Sequence, residues 1–152
     1  MASGSNSRDK LEFNGELIEA GSRVDTVIKV GIDPLGRDLE IPCYIFHGKY
    51  DGPTLGITSA IHGDELNGVS ILHFLIHGND HIPDNEDDFI DVNKLKGTLI
   101  LIPIANPESV LLMQRRATDG RDLNRQFPGN SSGNHSQRLA HALFSSIVPK
   151  SD

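Results

Sequence analysis

Two short stretches hold residues whose types and spacing suit chemistry. The first is His62-Gly63-Asp64-Glu65. An imidazole and a carboxylate three residues apart at the start of a helix fall on one side of it. Together they supply two of the three protein ligands that a catalytic zinc site ordinarily uses, with water in the fourth place. Gly63 permits a tight turn between them. The same tetrapeptide also reads as a plain helix start, with Asp64 capping and Glu65 complementing the helix dipole. The second stretch is Asp119-Gly120-Arg121-Asp122-Leu123-Asn124-Arg125-Gln126-Phe127-Pro128-Gly129, with Arg116 just before it. Guanidinium groups meet a carboxylate with paired hydrogen bonds, and an amide adds a donor, so this loop suits anion binding. The alternative is that Asp122 and Arg125 pair with each other and brace the loop.

The elements around these stretches alternate between strand and helix. Val24 to Val30 alternates apolar and polar residues, as a half-buried strand does. Asp33-Pro34-Leu35-Gly36 reads as a turn, and Leu39 to Phe46 as the return strand, with Pro42 marking it as an edge or bulged strand. Thr54 to Ile61 reads as a buried strand that delivers His62. Asp64 to His77 has helical spacing, with Leu66, Val69, Leu72 and Ile76 on one stripe and Gly78 as its stop. Thr98 to Ala105 is a nearly continuous apolar strand, of the kind covered on both faces in α/β proteins. A short helix is expected over residues 108–115, a long irregular loop over 116–134, and a helix over 136–148 with Leu139, Leu143, Phe144 and Ile147 on one face. This order implies an α/β fold, a mixed β-sheet flanked by helices.

Composition narrows the classes. The chain has 152 residues, 14 Lys+Arg against 21 Asp+Glu, and a net charge of −7. That length is one domain or part of one. The acidic balance argues against nucleic acid and anionic membranes as partners. Asp84, Glu86, Asp87, Asp88 and Asp91 concentrate much of the charge, and read as a solvated loop. No apolar run approaches the ~18 residues of a membrane span. Residues 1–10 are polar, are expected to be mobile or non-native, and do not form a secretory signal. The lone Cys43 has no partner for an internal disulfide and is expected to be a small buried group. These features suit a cytoplasmic location.

Taken together, SAIHGDELNG after a strand, then IPIANPES, then RRATDGRDLNRQFPG resemble the succinylglutamate desuccinylase/aspartoacylase family of zinc carboxypeptidase-like hydrolases. The likeness runs from about Val24 to the end and is strongest over residues 54–129. It implies a zinc carboxypeptidase-like α/β/α sandwich, here truncated at the C-terminus, with residues 11–152 forming the amino-terminal part of one catalytic domain. It implies one zinc ion held by His62 and Glu65. Arg116 matches the arginine that stabilises the oxyanion, with Arg115 one residue out of register beside it. Asn124 and Arg125 match the pair that grips a substrate carboxylate. The family's third zinc ligand is a histidine on the strand after the last helix, and its general base is a glutamate further on; neither has a counterpart here. The implied activity is hydrolysis of the amide bond of an N-acyl amino acid, a small-molecule substrate bearing a carboxylate, by zinc-activated water. The 152-residue chain alone is expected to be inactive. The alternatives are a carboxypeptidase or amidase acting on a peptide-like substrate, and a non-catalytic module that keeps the fold. A sheet position left open beside strand 98–105 would favour self-association. His73 and His77 are assigned structural roles, His47 and His81 to loops, and His135 or His141 is the substitute that could complete a metal site.

Overall fold

The computed structural model describes residues 8–33, 35–78 and 90–152. Among the described residues six strands and three helices follow one another: β1 (Leu11–Phe13), β2 (Glu16–Ile18), β3 (Ser22–Ile32), β4 (Asp38–His47), β5 (Tyr50–Thr58), α1 (Asn67–His77), β6 (Lys96–Ile102), α2 (Pro107–Leu112) and α3 (His135–Ile147). Two single 3-10 turns, Leu123–Arg125 and Val148–Lys150, complete the list of elements. Strands β3 to β6 form one mixed sheet in the order β3-β4-β6-β5, with β5 and β6 parallel and the other pairs antiparallel. The expected α/β architecture is therefore present.

Alternation along β6 separates the two layers. Ile100 and Ile102 enter a large apolar cluster with Ile28, Ile41, Ile45 and the α3 residues Leu139, Leu143 and Ile147. Leu99 and Leu101 face the opposite way and meet Phe46 and the α1 residues Leu72 and Ile76. The continuous apolar run is thus a strand covered on both faces. Cys43 is fully buried in the first cluster, and burial pushes its thiol up to about 12. No helix among the described residues is long and apolar enough to cross a membrane.

Several expectations change. The open sheet position is not beside β6, which pairs with β4 on one side and β5 on the other; among the described residues the sheet ends at β3 and β5. β5 is accordingly an edge strand with mostly exposed or half-buried residues, not a buried one. Its short apolar run, broken by Gly56, did not distinguish the two cases. Asp152 lies against this edge: its N–H donates to the Thr54 carbonyl at 3.0 Å, and its carboxylate accepts the Thr54 N–H at 2.7 Å. β4, conversely, is interior despite Pro42. β6 pairs only with Tyr44 to His47, so at Pro42 the strand is locally an edge and the missing N–H is tolerated.

A β1–β2 hairpin, not anticipated, places Phe13 and Ile18 in the α3-side cluster. Its signal was Asn14-Gly15, which adopt the left-handed backbone (φ 51° and 85°) of a tight hairpin turn. Of the terminal ten residues expected to be mobile, 8–10 are described. Arg8 donates to the carbonyls of Gly97 (2.6 Å) and Gly48 (3.3 Å). His47, assigned to a loop, ends β4 and is buried, bonded to Thr98 Oγ1 at 2.9 Å and the Asp9 carbonyl at 3.0 Å. Most of the acidic run and His81 lie outside the described residues.

Candidate metal and anion site

The His62–Glu65 pair sits in a turn, not on a helix. α1 begins at Asn67, with Leu66 as a cap that makes no side-chain hydrogen bond, so Asp64 does not cap it. The Glu65 N–H bonds instead to the His62 carbonyl at 3.2 Å. This reverse turn brings the two side chains together as helical spacing would have done. Its position is fixed from both sides. Asn106 is fully buried and caps α2 with its oxygen, while its amide donates to the Ile61 carbonyl at 3.2 Å. Gly63 packs on the α2 backbone so tightly that a Cβ there would stand 1.8 Å from the Ser109 carbonyl oxygen. Close approach, not a positive φ, is what demands glycine. Ala60, two residues before His62, holds a left-handed backbone (φ 47°), a local strain beside the candidate site.

His62 is 5% exposed and is gripped at both ring nitrogens. Its Nε2 lies 2.9 Å from Asp122 Oδ1, and its Nδ1 lies 3.0 Å from Glu65 Oε1. A carboxylate accepts, so the Asp122 contact places a proton on Nε2, while Nδ1 meets the Glu65 carboxylate with either a proton or a lone pair. Nδ1 is shut off from water and has no aligned hydrogen-bond partner. A lone pair and a carboxylate oxygen facing each other at this distance need a proton or a cation between them. Burial works against a charged His62, but the hydrogen bond to Asp122 and the nearness of Glu65 outweigh it and hold the ring above its ordinary value. His62 in turn holds the carboxyls of Glu65 and Asp122 below theirs.

Arg115 closes the group. Its guanidinium donates to Glu65 Oε1 at 3.0 Å and to Asp122 Oδ2 at 3.3 Å. Arg116, the residue matched by resemblance, is exposed and reaches the Gly120 carbonyl at 3.5 Å. The brace imagined between Asp122 and Arg125 is absent among the described residues: Asp122 instead ties the loop to His62 and Arg115 and caps the 3-10 turn through the Asn124 N–H at 3.1 Å. Asn124 and Arg125 stand exposed on that turn, beside Leu123, which is fully buried and anchors it. A cavity of about 470 Å³ opens beside Glu65, between the end of β5 and the start of α1. Asn124 and Arg125 do not line it. Asp122's place beside His62 and Asn106's link between α2 and Ile61 do not follow from the sequence. The acid two residues before Asn124 was the available sign for the first; for the second it was Asn followed by Pro, an N-cap residue before a first-turn proline.

The residues present fit a zinc ion in part. Tetrahedral bonds of about 2.0–2.1 Å put neighbouring ligand atoms roughly 3.3 Å apart, close to the Nδ1–Oε1 separation here. The carboxylate on the other ring nitrogen is the usual orienting partner of a metal-bound histidine. Among the described residues no third His, Cys, Asp or Glu joins the pair in a metal-sized cluster. His135 is engaged elsewhere, 3.1 Å from Glu108. His73 and His77 are exposed, their rings 5.7 Å apart, with Tyr44 edge-on to His77.

Comparison with known proteins identifies the family. Residues 51–152 match the family described as the succinylglutamate desuccinylase/aspartoacylase catalytic domain. An N-alpha-acetyl-L-2,4-diaminobutyric acid deacetylase from Halomonas elongata is 29% identical over 103 residues, 67% of this chain and 27% of the relative. A crystal structure of a succinylglutamate desuccinylase/aspartoacylase from Rhodobacter sphaeroides superposes with a TM-score of 0.75 at 27% identity, over 97% of this chain and 42% of that one. The product-bound ectoine utilization protein EutE from Ruegeria pomeroyi superposes with a TM-score of 0.71 at 25% identity, over 86% of this chain and 37% of that one. The chain thus spans about a quarter of the curated relative and about two-fifths of the solved ones. With the family match over most of its length and the shared fold, the chain belongs to the succinylglutamate desuccinylase/aspartoacylase family of hydrolases.

Proposed function

We propose that this chain carries part of the active site of a zinc-dependent hydrolase that cleaves the amide bond of an N-acyl amino acid. The observation that carries the reading is the buried Nδ1 of His62, facing Glu65 with no aligned hydrogen bond while Asp122 fixes the other nitrogen. His62 and Glu65 would hold the metal. Zinc, when bound, supplies a Lewis acid and an acidified water. With a metal on Nδ1, Asp122 would keep the remaining ring proton on Nε2. Arg115 already lies against Glu65 and is the better placed of the two adjacent arginines to meet negative charge that grows on a reacting carbonyl. Asn124 and Arg125 are the candidate grip for a substrate carboxylate: their side chains are exposed, one turn from Asp122. The relatives named as deacetylase and desuccinylase/aspartoacylase support the substrate class.

Two protein ligands hold zinc less firmly than three. The 152-residue polypeptide is therefore expected to bind zinc weakly and to leave N-acetyl and N-succinyl amino acids intact, whereas a polypeptide extended toward the relatives' length should hydrolyse them. The primary test is zinc affinity measured by competition with a chromophoric chelator. His62→Ala should abolish the site, and Asp122→Asn should weaken it by about 10–100-fold. Zinc binding that is unchanged in both variants would overturn the assignment.

A further inference from the structure

A second cavity, of about 320 Å³, lies between the turn after β3, helix α2 and the first turns of α3. It stands at the β3–β4 side of the sheet, whereas His62 follows β5 at the opposite edge. The volume falls at the low end of the range for small-ligand pockets. Its wall joins apolar surface from Leu39 and Leu111 to the cationic or potentially cationic side chains Arg37, His135 and Arg138.

The acids in this wall are already engaged. Asp33 receives the Arg37 guanidinium at 2.7 Å and the backbone N–H groups of Leu35 and Arg37. Glu108 receives the Thr118 hydroxyl at 2.8 Å and faces His135 Nε2 at 3.1 Å. The Arg138 guanidinium has no such partner among the described residues. Its Nε is shielded from water and meets no acceptor. Arg138 is half-buried with no anion beside it, and a carboxylate arriving there would form a charge-assisted hydrogen-bonded pair. His135 Nε2 is likewise shielded and lacks an aligned hydrogen bond. Leu111 is 85% exposed at the mouth, a large apolar side chain with nothing to cover it among the described residues.

We propose that this cavity binds a small carboxylate with a short apolar tail, the carboxylate on Arg138 and the tail along Leu39 and Leu111. The site is separate from the His62 group, and its existence does not depend on the hydrolytic reading.

Butyrate is the probe, titrated into the 152-residue protein by calorimetry and followed residue by residue in amide NMR spectra. Saturable binding is expected, with shifts centred on Leu39, Leu111 and Arg138. Arg138→Gln should weaken it by about tenfold or more, since a charge-assisted pair becomes a neutral one. Leu111→Glu, an exposed change that leaves the core untouched, should weaken it comparably by placing a negative charge at the mouth, and it carries the test if Arg138→Gln does not fold. His62→Ala should leave butyrate binding unaltered. Formate should bind more weakly than butyrate because it lacks the tail. Affinity unchanged in Leu111→Glu and in any folded Arg138→Gln, or shifts confined to His62 and Arg125, would overturn the proposal. Inorganic phosphate binding more tightly than butyrate would overturn the tail's part in it.

Discussion

The two faces of the sheet are built to different standards. On the α3 face, fifteen buried residues from the hairpin, strands β3, β4 and β6, the segments carrying Ala105 and Leu123, and α3 form one continuous cluster. On the α1 face, the buried cluster among the described residues has four members, and Ile71 and Phe74 of α1 are 62% and 44% exposed. The candidate site straddles this difference. Leu123 anchors the Asp122 loop in the large cluster, while the His62–Glu65 turn leads into the thinly packed helix. The loop that orients the histidine is therefore anchored in the large cluster, and the carboxylate that would share its metal lies at the entry to the helix with the smaller one.

The largest expected effect tests that asymmetry directly. Leu139 and Leu72 are both almost completely buried, one on each face. Truncating a buried leucine to alanine costs about 2–5 kcal/mol, and the cost falls where neighbours can collapse into the gap. Leu139→Ala should lie near the top of that range and lower the midpoint of global unfolding. Leu72→Ala should lie near the bottom. In hydrogen exchange, α1 should lose protection in Leu72→Ala while β6 and α3 keep theirs. Equal losses in both variants, spread over the whole sheet, would show that the two faces form a single cooperative unit.

A smaller effect is expected where the halves meet. Gly63→Ala forces a Cβ into the backbone of α2, and backbone cannot swing aside as a flexible side chain can. Such overpacking costs typically about 1–3 kcal/mol. The turn should move away from α2 and carry His62 off Asp122. The expected outcome is a modest fall in stability together with loss of zinc binding, with the α3-side amides unperturbed. Retained zinc binding in a folded Gly63→Ala would mean that the turn is positioned by something other than its contact with Ser109.

The legibility of these features in the sequence follows their physical range. β6 and α3 were readable because their burial is regular: continuous apolar residues in one, a stripe at helical spacing in the other. Both chemical stretches were readable because their residue types are unusual together. The edge position of β5 was not, since strand order is set by partners far away in the chain. The start of α1 was placed too early because Leu66 caps it without a polar side chain, against the usual preference for Ser, Thr, Asp or Asn. Asp122 had a local partner available in Arg125, and only the tertiary fold shows that it serves His62. The hairpin turn at Asn14-Gly15 carried a recognisable signature that short, weakly alternating flanks concealed.

The smallest expected effect concerns the well-packed half and its pH dependence. His47 joins the end of β4 to Thr98 of β6 and, through Asp9, to the segment before the hairpin. The Asp9 carbonyl can only accept, so Nε2 carries the proton and Nδ1 accepts from the Thr98 hydroxyl, a neutral ring with both nitrogens satisfied. Burial pushes its pKa below the ordinary 6.5, the Asp9 contact opposes this, and the Arg8 guanidinium adds to it. A base whose folded pKa is depressed binds fewer protons folded than unfolded. Its contribution to stability is then complete above the unfolded value and is lost as pH falls from about 6.5 through the lower folded value. His62 is shifted the other way and contributes with the opposite sign, so the wild-type curve alone does not isolate His47. The measurement is the difference in melting temperature between wild type and His47→Gln at pH 7.5 and at pH 5. Wild type should hold an advantage of about 2–5 °C at the higher pH, and that advantage should shrink at the lower one. An advantage that is constant across the range would mean that His47 is protonated equally in the folded and unfolded states, and that the tether to Asp9 does not depend on the neutral ring.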